Sequence, residues 1–308
     1  MVGAETVGYK IVKIIEELFC SDGKVHSIAF LPHHRKMADS LLSVFTYACE
    51  SDLLYAFWCP IDLYGREYDS PKYASVVPNN HEGYFVDQDK LELHHPEIYV
   101  IEYPYNGYNK ATDIPHQFYT SNLKASGAQI VYIPYFSSAA GEPTRGAEGL
   151  KNVDVIFAYD EADKINYEVK YPLARVYAVG SPKGDFLIPD AYKENILITT
   201  SLIPFLQNPI GRMKAYTSLI DWLYRENQHI VFRPHPLTDE GIRALRPEIA
   251  DYWHDFVAWA CQRVKFSEHC EIALDFNEAR MLYSDPSSCI DLWEQTGKPY
   301  KVIEVEEV

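Results

Sequence analysis

Val25-His26-Ser27-Ile28-Ala29-Phe30-Leu31-Pro32, then His33-His34-Arg35-Lys36, then the run from Met37 to Cys49, decides the fold. The first piece reads as a strand, the second as a short polar loop and the third as a helix. Together they make one Rossmann step, whose loop opens at the carboxyl edge of a parallel sheet. Working outward, Glu5 to Phe19 carries Val7, Ile11, Ile14, Ile15 and Leu18 at helical spacing and reads as an opening amphipathic helix. Apolar strand segments follow at Leu53–Cys59, Ile98–Tyr103, Gln129–Ile133 and Val153–Ala158, with helical connections such as Gln117–Ala125. The stretch Tyr64–His95, rich in Pro, Asn, Asp and His, reads as irregular excursions over the rim of a cleft.

Val176–Gly180 reads as the last strand of this half, and Ser181-Pro182-Lys183-Gly184 as a hinge. The alternation restarts with a strand at Asn195–Thr200, a helix at Arg212–Asn227 and a strand at His229–Arg233. Thr238–Gln262 is read as helical with a break near Pro247. Asp275–Leu282 is read as a short helix leading into Tyr283-Ser284-Asp285. A helix at Ser287–Thr296 and a last strand through Val305 complete the pattern. Strands alternating with helices predict an α/β fold with parallel sheets and right-handed crossovers. At 308 residues the chain suits two domains. They are expected at 1–184, an acceptor-side Rossmann-like domain, and 185–308, a Rossmann-like domain that binds a nucleotide donor, with their sheets facing across a cleft.

Composition narrows the function. Lys and Arg number 28 against 44 Asp and Glu, a formal net charge of −16. That field repels duplex nucleic acid and an anionic lipid surface, which leaves at most peripheral membrane association. It leaves room for an anionic ligand, since local cations and helix N-termini can override a mean field. The six cysteines show no CxxC spacing, so neither a zinc site nor a disulfide framework is expected, and a reducing compartment is. Residues 1–10 lack the apolar core of a signal peptide and no run of 18 apolar residues occurs, so the cytoplasm is the expected location. The 24 tyrosines are read as half-buried packing rather than a sugar platform.

Three segments could carry chemistry. In Ser284-Asp285-Pro286-Ser287-Ser288-Cys289-Ile290-Asp291, Pro286 suits the first turn of a helix and the serines add hydroxyls to free backbone amides. A diphosphate could dock there, or Asp285 or Ser287 could simply cap the helix; the octet alone leaves both open. In Val231-Phe232-Arg233-Pro234-His235-Pro236 an apolar strand ends in a cation and a titratable ring between stiffening prolines, at the edge where α/β sheets bind ligands. Position and residue types together favour function there over a packed turn. The loop Pro32-His33-His34-Arg35-Lys36 could hold a base for an acceptor hydroxyl, with Arg35 and Lys36 drawing in an anionic acceptor; taken alone it could equally be a solvated basic loop. Thr200 and Ser201 could touch a phosphate or form a turn. Lys183 and Arg212 could neutralise one or be solvated, and Gly141–Gly146 could be a cleft loop. No GxxxxGK[ST], GxGxxG, GxSxG or HExxH occurs, which argues against P-loop NTPases, dinucleotide enzymes, α/β-hydrolases and zincins.

In this order the segments Val179-Gly180-Ser181-Pro182-Lys183-Gly184-Asp185, Phe232-Arg233-Pro234-His235-Pro236, Ser284-Asp285-Pro286-Ser287-Ser288 and Thr296-Gly297-Lys298-Pro299 resemble the CDP-glycerol:polyglycerophosphate glycerophosphotransferase family. Those enzymes make teichoic acid and some capsule polymers on the two-Rossmann GT-B glycosyltransferase fold. The resemblance runs from about Val153 to Ile303 and implies that His235, Ser287 and Ser288 serve the donor's phosphates. One departure is clear: the family's His-Gly, whose histidine is the proposed base, has no counterpart where Ile133-Pro134-Tyr135-Phe136 stands. Either His33 or His34 substitutes, or the chemistry differs.

The resulting expectation is a GT-B-like, metal-independent transferase. It would move a polyol-phosphate or sugar unit from a CDP- or UDP-linked donor to a hydroxyl of a polysaccharide or lipid-linked acceptor, with no cofactor. Its catalytic residues would be His33 or His34 with His235. The donor would be held by Arg233, His235, Ser287, Ser288, Asp285, Thr200 and Ser201, and the acceptor by Arg35 and Lys36. The rivals are a nucleotide-sugar glycosyltransferase or UDP-sugar 2-epimerase on the same fold, and a non-catalytic nucleotide-binding module. The sequence carries no sign of oligomeric state.

Overall fold

A computed structural model describes residues 6–34, 36–62, 85–107, 113–136, 147–188, 191 and 193–305. The chain divides into two compact units, Met1–Phe186 and Leu187–Val308.

The first unit is a six-stranded parallel sheet in the order β2-β1-β3-β4-β5-β6. Its strands are β1 (His26–Leu31), β2 (Leu54–Trp58), β3 (Ile98–Ile101), β4 (Gln129–Tyr132), β5 (Val155–Ala158) and β6 (Arg175–Ala178). Both faces are covered. Ala29, Leu31, Tyr99, Ile101, Ile130 and Tyr132 pack on one side, and Ile28, Phe30, Ile98, Val100, Val131 and Phe157 on the other. The alternation is the two-residue period of a strand, and burial on both faces is why these segments read as continuous apolar runs. Helices α1 (Val7–Phe19), α2 (Asp39–Cys49), α3 (Thr120–Ala125) and α4 (Glu161–Lys170) belong to this unit. α1 buries Ile11, Val12 and Ile15, one stripe at helical spacing.

The segment after β6 closes this unit on itself. Gly180 turns the chain at φ +95°, a left-handed value at which a side chain is strained. The Asp185 carboxylate accepts the amide protons of Val7 at 2.8 Å and Gly8 at 2.7 Å, capping α1 from 177 and more residues away, and also accepts the Ser43 hydroxyl. Lys183 pairs with the buried Asp39 at 2.8 Å. The Gly-Ser-Pro-Lys-Gly-Asp segment is therefore a clasp whose Lys183, weighed above for a phosphate, is engaged within the fold.

The second unit is a five-stranded parallel sheet in the order β11-β10-β7-β8-β9. Its strands are β7 (Asn195–Thr199), β8 (Ile230–Arg233), β9 (Lys265–Phe266), β10 (Ala279–Ser284) and β11 (Tyr300–Val302). Its helices are α5 (Leu202–Gln207), α6 (Pro209–Arg225), α7 (Thr238–Leu245), α8 (Ala250–Ala260), α9 (Ile272–Glu278) and α10 (Ser288–Glu294). Asn208 caps α6 through Gly211 N at 3.0 Å, with Pro209 at the first helical position.

Two elements depart from the sequence expectation. The helix expected over Asp275–Leu282 ends at Glu278, and Ala279–Ser284 is a strand paired with both β7 and β11. Its mixed sequence, ARMLYS, with a register shift between Ala279 and Met281, hides the two-residue period. The two-residue β9 was not foreseen either. Among the described residues no helix is long and apolar enough to cross a membrane. Arg35, most of Tyr64–His95 and the loop Gly141–Gly146 lie outside the described residues.

Candidate functional site

Strand order places a candidate site in each unit. In open α/β sheets ligands sit beyond the carboxyl ends of the two neighbouring strands from which the chain builds outward in opposite directions. In the second unit the chain runs from β7 through β8 to β9 on one side, then returns to β10 and β11 on the other, so those strands are β7 and β10. Thr199-Thr200-Ser201 leaves one and Ser284-Asp285-Pro286-Ser287-Ser288 the other, with Thr199 and Ser284 in register.

The edge is tied together by its own side chains. Thr199 Oγ1 donates to Ser284 Oγ at 2.8 Å, and Ser284 Oγ lies 3.2 Å from Ser287 Oγ. Asp285, fully buried, accepts Ser201 N at 3.0 Å and Tyr216 OH at 2.5 Å on Oδ2, and Arg212 Nη1 at 2.8 Å on Oδ1. Burial pushes the Asp285 carboxyl above its ordinary range, while those donors pull it down. Burial also raises the Tyr216 phenol, which Asp285 reinforces, so the phenol stays the donor. Ser201 Oγ donates to Pro286 O at 2.9 Å.

His235 follows β8, the next strand along. Its backbone N donates to Thr200 Oγ1 at 3.0 Å, and its Nδ1 accepts Leu237 N at 3.1 Å. An accepting Nδ1 places the neutral ring's proton on Nε2. Ser287 sits at the N-cap of α10 with extended backbone and no side-chain cap bond; its hydroxyl meets Ser284 instead. Neither Ser287 nor the engaged Asp285 carboxylate therefore caps α10.

Three members of the expected donor set belong to the scaffold. Arg233 is 4% exposed, and its Nη1 meets Asp275 Oδ2 at 2.6 Å, His269 O at 2.8 Å and Ser267 Oγ at 3.1 Å. Its Nη2 meets Cys270 O at 2.7 Å. A guanidinium so enclosed neutralises Asp275 rather than a phosphate. Asp285 is a buried anion that would repel a phosphate, and it too is held by its own chain. Ser201 has both its amide and its hydroxyl engaged. His235, Thr200, Ser287 and Ser288 remain at the edge, Thr200 buried and the other three half-buried.

In the first unit the corresponding strands are β1 and β3. His33 comes two residues after β1 and Glu102 directly after β3. Glu102 Oε1 accepts His33 Nδ1–H at 2.9 Å and His33 N at 3.2 Å, while Oε2 accepts Ser40 Oγ from α2 at 3.0 Å. Both side chains have no exposed area. The Tyr103 ring lies 4.2 Å from the imidazole centroid and that of Tyr135 6.2 Å, so Ile133-Pro134-Tyr135-Phe136, the segment without His-Gly, borders His33. His33 Nε2 is buried and has no hydrogen-bond partner. An unmet buried polar atom costs about 1–3 kcal/mol, and such atoms concentrate where chemistry is done. His34 is placed differently: half-buried, its Nδ1 accepts Lys36 N at 3.2 Å. Nothing in the sequence singled out Glu102, because it ends an ordinary apolar strand.

No established protein family and no curated protein matches the chain. Solved structures do. UDP-GlcNAc 2-epimerase from Neisseria meningitidis, bound to UDP-GlcNAc, is similar over 90% of this chain and 82% of that one, at 13% identity and TM-score 0.59. The Methanocaldococcus jannaschii UDP-GlcNAc 2-epimerase in complex with UDP-GlcNAc and UDP is similar over 90% and 83%, at 12% identity and TM-score 0.58. The wall teichoic acid polymerase TagF, in a CDPG soak, is similar over 96% and 73%, at 10% identity and TM-score 0.52. At these identities the likeness is one of fold: an α/β chain with two parallel sheets, each in a Rossmann-like unit.

Proposed function

We propose that the protein is a GT-B enzyme acting on a nucleoside-diphosphate-linked substrate, and that it transfers the linked polyol-phosphate or sugar unit to an acceptor hydroxyl. The observation that carries the reading is the carboxyl edge of β7 and β10, where Thr200, Ser287 and Ser288 gather with His235 beside them. Hydroxyls, a ring N–H and backbone amides are what a diphosphate accepts from. Binding of UDP-GlcNAc, UDP or CDPG by proteins of the same fold supports a nucleotide ligand here. On this reading Arg233, Asp285 and Ser201 hold the edge in shape without touching the donor.

His33 is the proposed base, and His34, whose Nδ1 already accepts a backbone amide, is not. The acceptor O–H gives its proton to Nε2 and its oxygen attacks the donor. For a sugar, a C–O bond forms at the anomeric carbon and the bond to the diphosphate breaks, releasing a nucleoside diphosphate. For a polyol phosphate, a P–O bond forms at the outer phosphorus and the bridging P–O bond breaks, releasing a nucleoside monophosphate. His235, with its proton on Nε2, donates to the oxygen on which charge grows. The acceptor, a polysaccharide or lipid-linked hydroxyl, and the assignment of the first unit to the acceptor and of the second to the donor are part of the same proposal.

The epimerase likenesses favour a second reading, in which the linked sugar is inverted at one carbon and no acceptor is used. Incubating the protein with CDP- and UDP-linked polyols and sugars, with and without hydroxyl acceptors, separates the readings. Acceptor-dependent release of nucleotide supports transfer. An epimerised donor without acceptor supports the second reading, and binding without turnover supports a non-catalytic module.

A further inference from the structure

Glu102 and His33 lie 69 residues apart in sequence and meet where the first sheet changes direction, both fully enclosed. We infer that Glu102 is the positioning residue for His33: its carboxylate holds the imidazole with the proton on Nδ1 and leaves Nε2 as the basic nitrogen. The inference rests on the transfer reading for the identity of the reaction, and on geometry alone for the tautomer.

One carboxylate oxygen, Oε1, receives both the backbone N–H and the ring Nδ1–H of His33, so Glu102 fixes the loop and the ring together. Its other oxygen is engaged by Ser40, and the carboxylate cannot turn away without losing all three bonds. Flipping the ring would set a carbon against Oε1. In an enclosed site a charged acceptor binds its donor more strongly than in water, which locks the proton on Nδ1. The Tyr103 ring packs against the imidazole, centroids 4.2 Å apart and planes tilted by 35°, and limits its movement. What is left is an Nε2 lone pair with no partner, the form a general base takes.

When the acceptor O–H bond breaks, its electron pair stays on oxygen and its proton forms an N–H bond at Nε2. The ring becomes an imidazolium, and its Nδ1–H bond to Glu102 becomes an ion pair within the enclosure. Glu102 keeps its charge throughout, so it acts through His33 and never touches substrate. A purely structural tie between the loops after β1 and β3 would give the same contacts and the same tautomer, but no loss in turnover when the carboxylate is removed.

The test is ring-nitrogen NMR of the full-length protein labelled with 15N-histidine, His33 being assigned by its loss in His33→Gln, together with kinetics of Glu102→Gln. The expected result is an Nδ1–H tautomer with an unprotonated Nε2 in the wild type. In Glu102→Gln that preference is lost, and kcat falls roughly a hundredfold or more while the donor KM stays within about twofold. A wild-type His33 with its proton on Nε2, or full kcat in Glu102→Gln, overturns the inference. Should the variant fail to fold, kinetics of Glu102→Asp decide: a selective fall in kcat supports the inference, and full kcat overturns it. Should the wild type turn over no donor, the transfer reading falls while the tautomer still decides whether Glu102 positions His33.

Discussion

The Thr199 hydroxyl donates to the Ser284 hydroxyl at 2.8 Å, joining the carboxyl ends of β7 and β10 in the interior of the second unit. Around that bond, Ser287 meets Ser284, Ser201 reaches Pro286 O and the Asp285 carboxylate, and Arg212 and Tyr216 hold Asp285 from below. The edge proposed for a diphosphate is thus organised by the fold itself. A diphosphate bound there as proposed would need little ordering of the loop, a cost that otherwise subtracts from affinity.

Arg233 and Asp275 form a buried pair whose disruption strands one charge. Asp275→Ala is expected to destabilise the second unit by about 3–5 kcal/mol. Four of the five tryptophans, Trp222, Trp253, Trp259 and Trp293, lie in Leu187–Val308, so tryptophan fluorescence in a urea titration follows that unit. A change within about 0.5 kcal/mol, the range of ordinary surface substitutions, would show that Arg233 is not held as described.

Asp185 caps α1 across the length of the first unit. Asp185→Ala leaves the amides of Val7 and Gly8 without their acceptor and should weaken that unit by about 1–2 kcal/mol. Amide hydrogen exchange reads it directly. Protection should fall in the first turns of α1 while the strands β7 to β11 stay unchanged, and unaltered exchange in α1 would refute the clasp.

His26, at the amino end of β1, sits between Asp22 at 3.0 Å and Glu97 at 3.1 Å. The bond to Asp22 foremost raises its pKa above the ordinary 6.5, burial working the other way and Glu97 adding to the rise. A folded-state value above the unfolded one means the folded state binds the proton more tightly. The stabilisation is therefore complete below 6.5 and is lost as pH rises through the folded-state value. An NMR titration should place the His26 midpoint above 6.5, and Asp22→Asn should bring it down; a wild-type midpoint at or below 6.5 would contradict the pairing.

Much of this was legible in the sequence, for a local reason. Buried parallel strands are continuous apolar runs, so β1, β3, β5 and β7 stand out, and the polar residues that end them, His33 and Thr200, mark the sheet edge. β10 was hidden because Arg280 and Met281 interrupt its pattern and the seven-residue α9 runs straight into it. The residues of the β7 and β10 edge were named, but not that β10 is one of the two strands that define it. The state of each polar side chain was not legible at all. Arg233 looks like a free cation until Asp275, 42 residues on, folds against it. His33 looks like half of a solvated pair until Glu102 closes over Nδ1. Long-range partners leave no periodicity behind.

The claim that most needs testing is the nucleotide site at the β7 and β10 edge. Calorimetric titration of CDP and UDP into the wild type and into Ser287→Ala/Ser288→Ala, with equal melting temperatures as the control, addresses it in one measurement. The expected result is binding of at least one nucleotide by the wild type and a loss of roughly tenfold or more, about 1.4 kcal/mol, in the double variant. A wild type that binds neither nucleotide, or a double variant that binds as the wild type does, would contradict it.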